Sequence, residues 1–159
     1  MGAAMAGTAL RSGVPLTVWN RDPRATAGYA DRGAEVAETV PDAVERADVV
    51  VTMVTNADAV LSIATDQGLL TAMRPGAVWA QMSTIGTAAT ERLAGLMAER
   101  CPDAALVDAP VSGSRVPAEQ GTLVIFASGP GAARAPVTRS SMCSVGAPSG
   151  SDPSPTAHG

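Results

Sequence analysis

The segment DAPVSGSRVPAEQGTL, from Asp108 to Leu123, holds the combination Ser112-Gly113-Ser114 at the mouth of an apolar strand. A hydroxyl donor beside a turn without bulky Cβ groups lets backbone N–H groups converge on an anion. The other polar residues at the ends of apolar runs are Asn20-Arg21, Thr55 after Met53-Val54, and Ser83-Thr84. An arginine donates two parallel hydrogen bonds and keeps its charge at every physiological pH, so Arg21 suits a phosphate. Ser83 or Thr84 suits either a ligand or the cap of the turn that follows.

These residues need a scaffold. Short Val-rich runs alternate with Ala-rich helical patterns from residue 14 to about 129, the pattern of repeated βα units and a parallel sheet. The spacing predicts a helix from the first residue to Gly13, a strand over Pro15–Asn20, a helix over Pro23–Arg32 that stops at Gly33, and a short strand over Ala34–Ala37. Thr39 is an N-cap with Asp42 three residues on and Pro41 in the first turn. DVVVTMV, from Asp48, has no alternation and reads as a central parallel strand covered on both faces. Helices near Ala57–Ala64 and Leu69–Met73, a strand over Ala77–Ser83, a helix over Thr87–Cys101 and strands in ALVDAPV and TLVIFAS complete the set. Such a sheet binds ligands where strand carboxyl ends open onto helix N-termini. All the residues singled out above stand at such ends.

Composition narrows the partners. The 159 residues, 46% hydrophobic with mean hydropathy +0.16, suffice for a buried core. A net charge of −4 and 3% aromatic residues argue against nucleic acid. No apolar run reaches the roughly 18 residues a membrane helix needs, and Met1–Gly13 lacks the features of a leader, so a cytoplasmic location is expected. Cys101 and Cys143 have no second metal-ligand pair, so no metal is expected. All eleven basic residues are arginine. After Gly129 the chain is rich in Ser, Pro and Gly without periodicity, and a disordered tail is expected over 131–159.

In order and spacing, MGAAMA, VWNRDP, DVVVTMV, MSTI and DAPVSGS resemble the cofactor domain of the 3-hydroxyisobutyrate dehydrogenase family, relatives of 6-phosphogluconate dehydrogenase. The resemblance covers residues 1 to about 130 and implies a Rossmann-type doubly wound, mostly parallel α/β sheet and an NAD(P)-dependent oxidoreductase. It implies hydride transfer between nicotinamide and a small 3-hydroxy acid or semialdehyde. Gly2 then corresponds to the last glycine of a G-x-G-x-x-G turn, which places the family's first strand upstream of Met1. Asn20 and Arg21 would hold the 2′-phosphate of NADP in preference to NAD, although Asp22 would oppose that phosphate. Met53, Val54, Thr55, Ser83 and Thr84 would lie along the cofactor, and Ser112, Gly113 and Ser114 would anchor a small carboxylate substrate. Ser114 replaces the family's second glycine, and Arg115 is a poor substitute for a lysine acid/base.

The family's catalytic lysine has no counterpart, because the sequence contains no lysine. The expectation is therefore a partial domain, truncated at both ends and inactive by itself, with a tail read in a shifted frame. The alternative is a non-catalytic remnant or nucleotide-binding module. No oligomeric state is implied, since the family assembles through a helical domain without counterpart here.

Overall fold

The computed structural model describes residues 1–131 and residue 133; the expected tail lies outside the described residues. The chain opens with α1 (Gly2–Arg11), then β1 (Thr17–Val18), two 3-10 turns (Pro23–Thr26 and Ala30–Arg32) and β2 (Glu35–Val36). Next come α2 (Val40–Val44), β3 (Val49–Thr52), α3 (Ala57–Ala64), α4 (Leu69–Ala72), β4 (Val78–Gln81) and α5 (Thr87–Arg100). β5 (Ala105–Asp108), β6 (Val111–Ser112), α6 (Arg115–Gln120) and β7 (Val124–Ile125) follow.

The strands form a parallel pair β1-β2, a parallel three-stranded sheet in the order β3-β4-β5, and an antiparallel pair β6-β7. β4 is the central strand, and its four residues are all buried. Its Trp79 is fully buried, and the indole Nε1–H donates to Thr52 Oγ1 at 3.0 Å, so the largest core side chain also satisfies its polar atom. Trp79 packs with Val60, Ile63, Leu69, Leu70, Leu93 and Met97 in one apolar cluster, against which Trp19 and Val54 also lie.

Two expectations need correction. The helix over Pro23–Arg32 is instead two short 3-10 turns. Ala27 is extended at ψ 135° and Gly28 sits at φ +80°, a region open to glycine, so the helical path breaks midway. The expected central strand at Asp48 is an edge strand among the described residues. Val78 N–H donates to Asp48 O and Met82 N–H to Thr52 O. Alternate residues of a strand point their backbone groups to opposite sides, so those of Val49, Val51 and Met53 face away from β4. β1 behaves likewise: Leu16 and Val18 carbonyls accept from β2, which turns Thr17 and Trp19 outward. Among the described residues, no strand pairs with these outward-facing sides of β1 and β3.

Side-chain caps start two of the helices. Asn56 caps α3 by accepting from Ala59 N–H at 2.9 Å. Thr39 accepts from Asp42 N–H at 3.2 Å as α2 begins. The Thr39 hydroxyl also donates to Asp42 Oδ2 at 2.6 Å, so the acidic residue closes on the capping hydroxyl.

Candidate functional site

The carboxyl ends of β3 and β4 and the turn after β6 enclose a cleft of about 270 Å³. Met53, Val54 and Thr55 supply one wall, Met82, Ser83 and Thr84 the next, Val111 and Gly113 the third, and Met1 the rim. Ligand pockets commonly run from roughly 300 to 1,000 Å³, and the cleft lies just below that range. Thr55 and Thr84 are exposed, Met53 and Val54 half-buried, and Ser83 buried.

Parallel pairing brings these residues together. Successive parallel strands end on the same side of the sheet, so β3 and β4, in register from Val49 opposite Val78 to Thr52 opposite Gln81, release their following residues side by side. Ser83 Oγ accepts the Val54 N–H at 2.8 Å, which ties the two strand exits. Behind them lies a buried amide: Gln81 is 1% exposed, its Oε1 accepts from Ser83 N–H at 2.6 Å, and its Nε2 donates to Ser83 O at 2.7 Å. The same Nε2 donates to Asp108 Oδ1 at 3.2 Å on β5. Burial pushes the Asp108 carboxyl up, opposed by that hydrogen bond from Gln81. Sequence reasoning passed over Gln81 and Asp108. The signal was present, since each interrupts or ends an otherwise apolar strand.

Gly2 starts α1 against the cleft. A Cβ there would meet Met53 O at 3.5 Å and Met53 Cβ at 3.6 Å, ordinary contacts, so the helix start lies close to the β3 exit without requiring glycine for space. Ser112 and Ser114 flank Gly113 in the exposed turn, and Ser114 is the N-cap of α6 without a side-chain capping bond among the described residues. Arg115 is engaged with Glu119, Nε to Oε1 at 2.6 Å, which raises its already high pKa. Helix α6 was not expected from sequence, although Gly121 in the left-handed region is a usual C-terminal stop.

Asn20 and Arg21 stand outside the cleft lining, exposed at the end of β1 in the neighbouring two-stranded sheet. Asn20 Oδ1 accepts from Asp22 N–H at 2.9 Å, which shapes the turn. Asp22 is held by Arg24 in a two-pronged pair, Nε to Oδ1 at 3.0 Å and Nη2 to Oδ2 at 2.9 Å. That pair lowers the Asp22 pKa and partly offsets the charge that would oppose a phosphate at Arg21.

Among the described residues no group of three or more His, Cys, Asp and Glu is arranged to hold a metal, and no helix is long and apolar enough to cross a membrane. The chemistry available at the cleft is that of hydroxyls and backbone donors, with Arg21 standing outside it.

Residues 1–146 match the family described as the NAD binding domain of 6-phosphogluconate dehydrogenase. The NAD-dependent L-serine dehydrogenase of Pseudomonas aeruginosa is 35% identical over 130 residues, covering 81% of this chain and 43% of its own length. A solved structure of Mycobacterium tuberculosis 3-hydroxyisobutyrate dehydrogenase with L-serine superposes with a TM-score of 0.80 at 30% identity, covering 90% of this chain and 48% of that one. A solved structure of Psf3 in complex with NADP+ and 2-OPP superposes with a TM-score of 0.82 at 27% identity, covering 91% of this chain and 52% of that one. The chain thus spans less than half the length of the curated relative.

Proposed function

The chain belongs to the family of the NAD binding domain of 6-phosphogluconate dehydrogenase, and from that premise we propose that residues 1–130 form a nicotinamide-dinucleotide domain serving hydride transfer on a small 3-hydroxy acid or semialdehyde. The observation that carries the proposal is the single cleft lined by Met53, Val54, Thr55, Ser83, Thr84 and Gly113. It joins five of the residues assigned to the cofactor with Gly113 of the turn assigned to the substrate carboxylate, while Asn20, Arg21, Ser112 and Ser114 stand outside its lining. When bound, the nicotinamide supplies the redox chemistry, and the protein supplies binding and orientation.

Each residue has a defined task in this reading. Met53 and Val54 give the apolar wall, and Thr55 and Thr84 offer hydroxyls at its rim. Ser112, Gly113 and Ser114 present hydroxyl and backbone donors to a carboxylate, as an anion-binding turn does. Arg21 takes a 2′-phosphate, with Asp22 restrained by Arg24, so NADP is the favoured nucleotide and NAD the second. The NADP+ complex and the NAD-dependent relative support both nucleotides within the family. A buried free thiol at Cys101 suits a reducing, cytoplasmic compartment.

A second reading has its own support: the sequence contains no lysine. The 159-residue chain then acts as a nucleotide-binding module, without the side chain to which the family resemblance assigns the proton. Fluorescence titration with NADPH and NADH tests the first claim. Saturable binding of both is expected, with Arg21→Ala weakening NADPH about ten-fold and NADH little. Absence of saturable binding overturns the proposal. An assay with L-serine and NAD or NADP separates the readings: no turnover is expected from this chain, and a measurable rate would show that a group other than lysine moves the proton.

A further inference from the structure

We infer that Gln81 is a positioning residue for the nucleotide cleft, holding the Ser83 peptide so that Ser83 Oγ fixes the Val54-Thr55 turn. The inference rests on the nucleotide-binding reading, but its geometry stands independently.

Gln81 is fully committed. Its Oε1 accepts from Ser83 N–H at 2.6 Å, and Nε2 divides its two hydrogens between Ser83 O at 2.7 Å and Asp108 Oδ1 at 3.2 Å. Flipping the amide would set oxygen against oxygen and N–H against N–H, so the orientation follows from the partners. The side chain therefore reads both backbone groups of Ser83, as a neighbouring strand would. Ser83 is 2% exposed, and its Oγ accepts the Val54 N–H at 2.8 Å. One buried amide thus links the exits of β3, β4 and β5, two of which wall the cleft. Water is excluded at Gln81, so losing a partner leaves buried polar groups unpaired, the costly side of hydrogen bonding.

The isosteric Gln81→Glu replacement separates positioning from bulk packing. Ionised, it faces the Ser83 carbonyl and the Asp108 carboxylate with no hydrogen to give. Protonated, it regains one donor. Asp108 is the titratable group hydrogen-bonded to position 81, while Thr52 of β3, Val54 after it and Ser83 carry none.

The test measures NADPH affinity of the full chain between pH 5.5 and 8, as the ratio of variant to wild type at each pH, which cancels titration of the nucleotide itself. Gln81→Glu is expected to bind about ten-fold more weakly at pH 8 and to recover toward wild type at pH 5.5. Gln81→Leu is expected to be weak throughout. A folded Gln81→Glu protein with wild-type affinity at pH 8, or with a loss that does not depend on pH, overturns the inference. Should Gln81 variants fail to fold, Ser83→Ala takes their place and is expected to weaken binding several-fold; unchanged affinity is then the adverse result. Amide hydrogen exchange distinguishes this inference from the functional proposal. If wild type binds no nucleotide, loss of Val54 protection in Ser83→Ala, with Leu93 protection retained, still supports the positioning role. Unchanged Val54 protection there overturns it.

Discussion

Gly113 lies at φ +138°, and a Cβ on it would sit 2.7 Å from Leu123 Cδ2 and 3.4 Å from Pro117 Cβ. The backbone thus calls for glycine at the centre of the proposed carboxylate turn, while a Cβ there would also displace the end of the Leu123 side chain. Gly113→Ala is expected to lower unfolding free energy by about 1–3 kcal/mol in urea titrations. A value within error of wild type would show that the turn relaxes freely. Asp108 gives a prediction in pH. Burial holds its pKa above the ordinary carboxylate range, against the Gln81 hydrogen bond, so folding favours the protonated form. The associated stability is complete below the unfolded value near 4 and is lost as pH rises through the raised folded value. Asp108→Asn keeps an oxygen acceptor for Gln81 and removes the charge. It is expected to melt above wild type at pH 7, with the gap closing toward pH 4; a gap independent of pH contradicts the assignment.

At the scale of elements, α6 reaches its place through α1. The Thr8 hydroxyl, buried, donates to Ala118 O at 2.7 Å, and Arg11 Nη2 donates to Thr8 Oγ1 at 2.8 Å and to Glu119 O. These donors meet the carbonyl end of α6, where both partial charge and unfilled acceptors favour them. Thr8→Val keeps the shape and removes the donor, and a loss of about 1–3 kcal/mol in thermal or urea unfolding is expected. Equal stability would mean that water or Arg11 replaces the hydroxyl. The sequence made α1 and α5 legible, because Gly13 and the Leu93–Met97 spacing are local signals. It did not disclose the break at Ala27-Gly28, where an apparently helical run is parted by an extended residue. Nor did it disclose α6, a six-residue helix too short for periodicity to register and held by contacts with α1, distant in sequence. The cleft residues were legible as strand ends; the Gln81 network was not, because its partners meet only when three strands align.

For the whole molecule, the decisive feature is the side of β3 that faces no strand among the described residues. The run Asp48–Val54 has the composition of a strand buried on both faces, yet Val51 is 46% exposed. Composition reports the environment a strand suits, while pairing depends on the neighbours present, so the sequence could indicate the first without the second. An apolar strand with unpaired N–H and C=O groups is a template for another chain. With a nucleotide at the adjoining Met53-Val54 wall as proposed, backbone pairing along Val49, Val51 and Met53 would approach the same strand exit. Val51→Lys adds a charge that repels a second copy in this register and disturbs little packing, since the side chain is half in water. The expected outcome is reduced concentration-dependent light scattering, with a melting midpoint close to wild type. If scattering at equal concentration and temperature is unchanged while the protein remains folded, the open edge of β3 is not a surface through which copies associate.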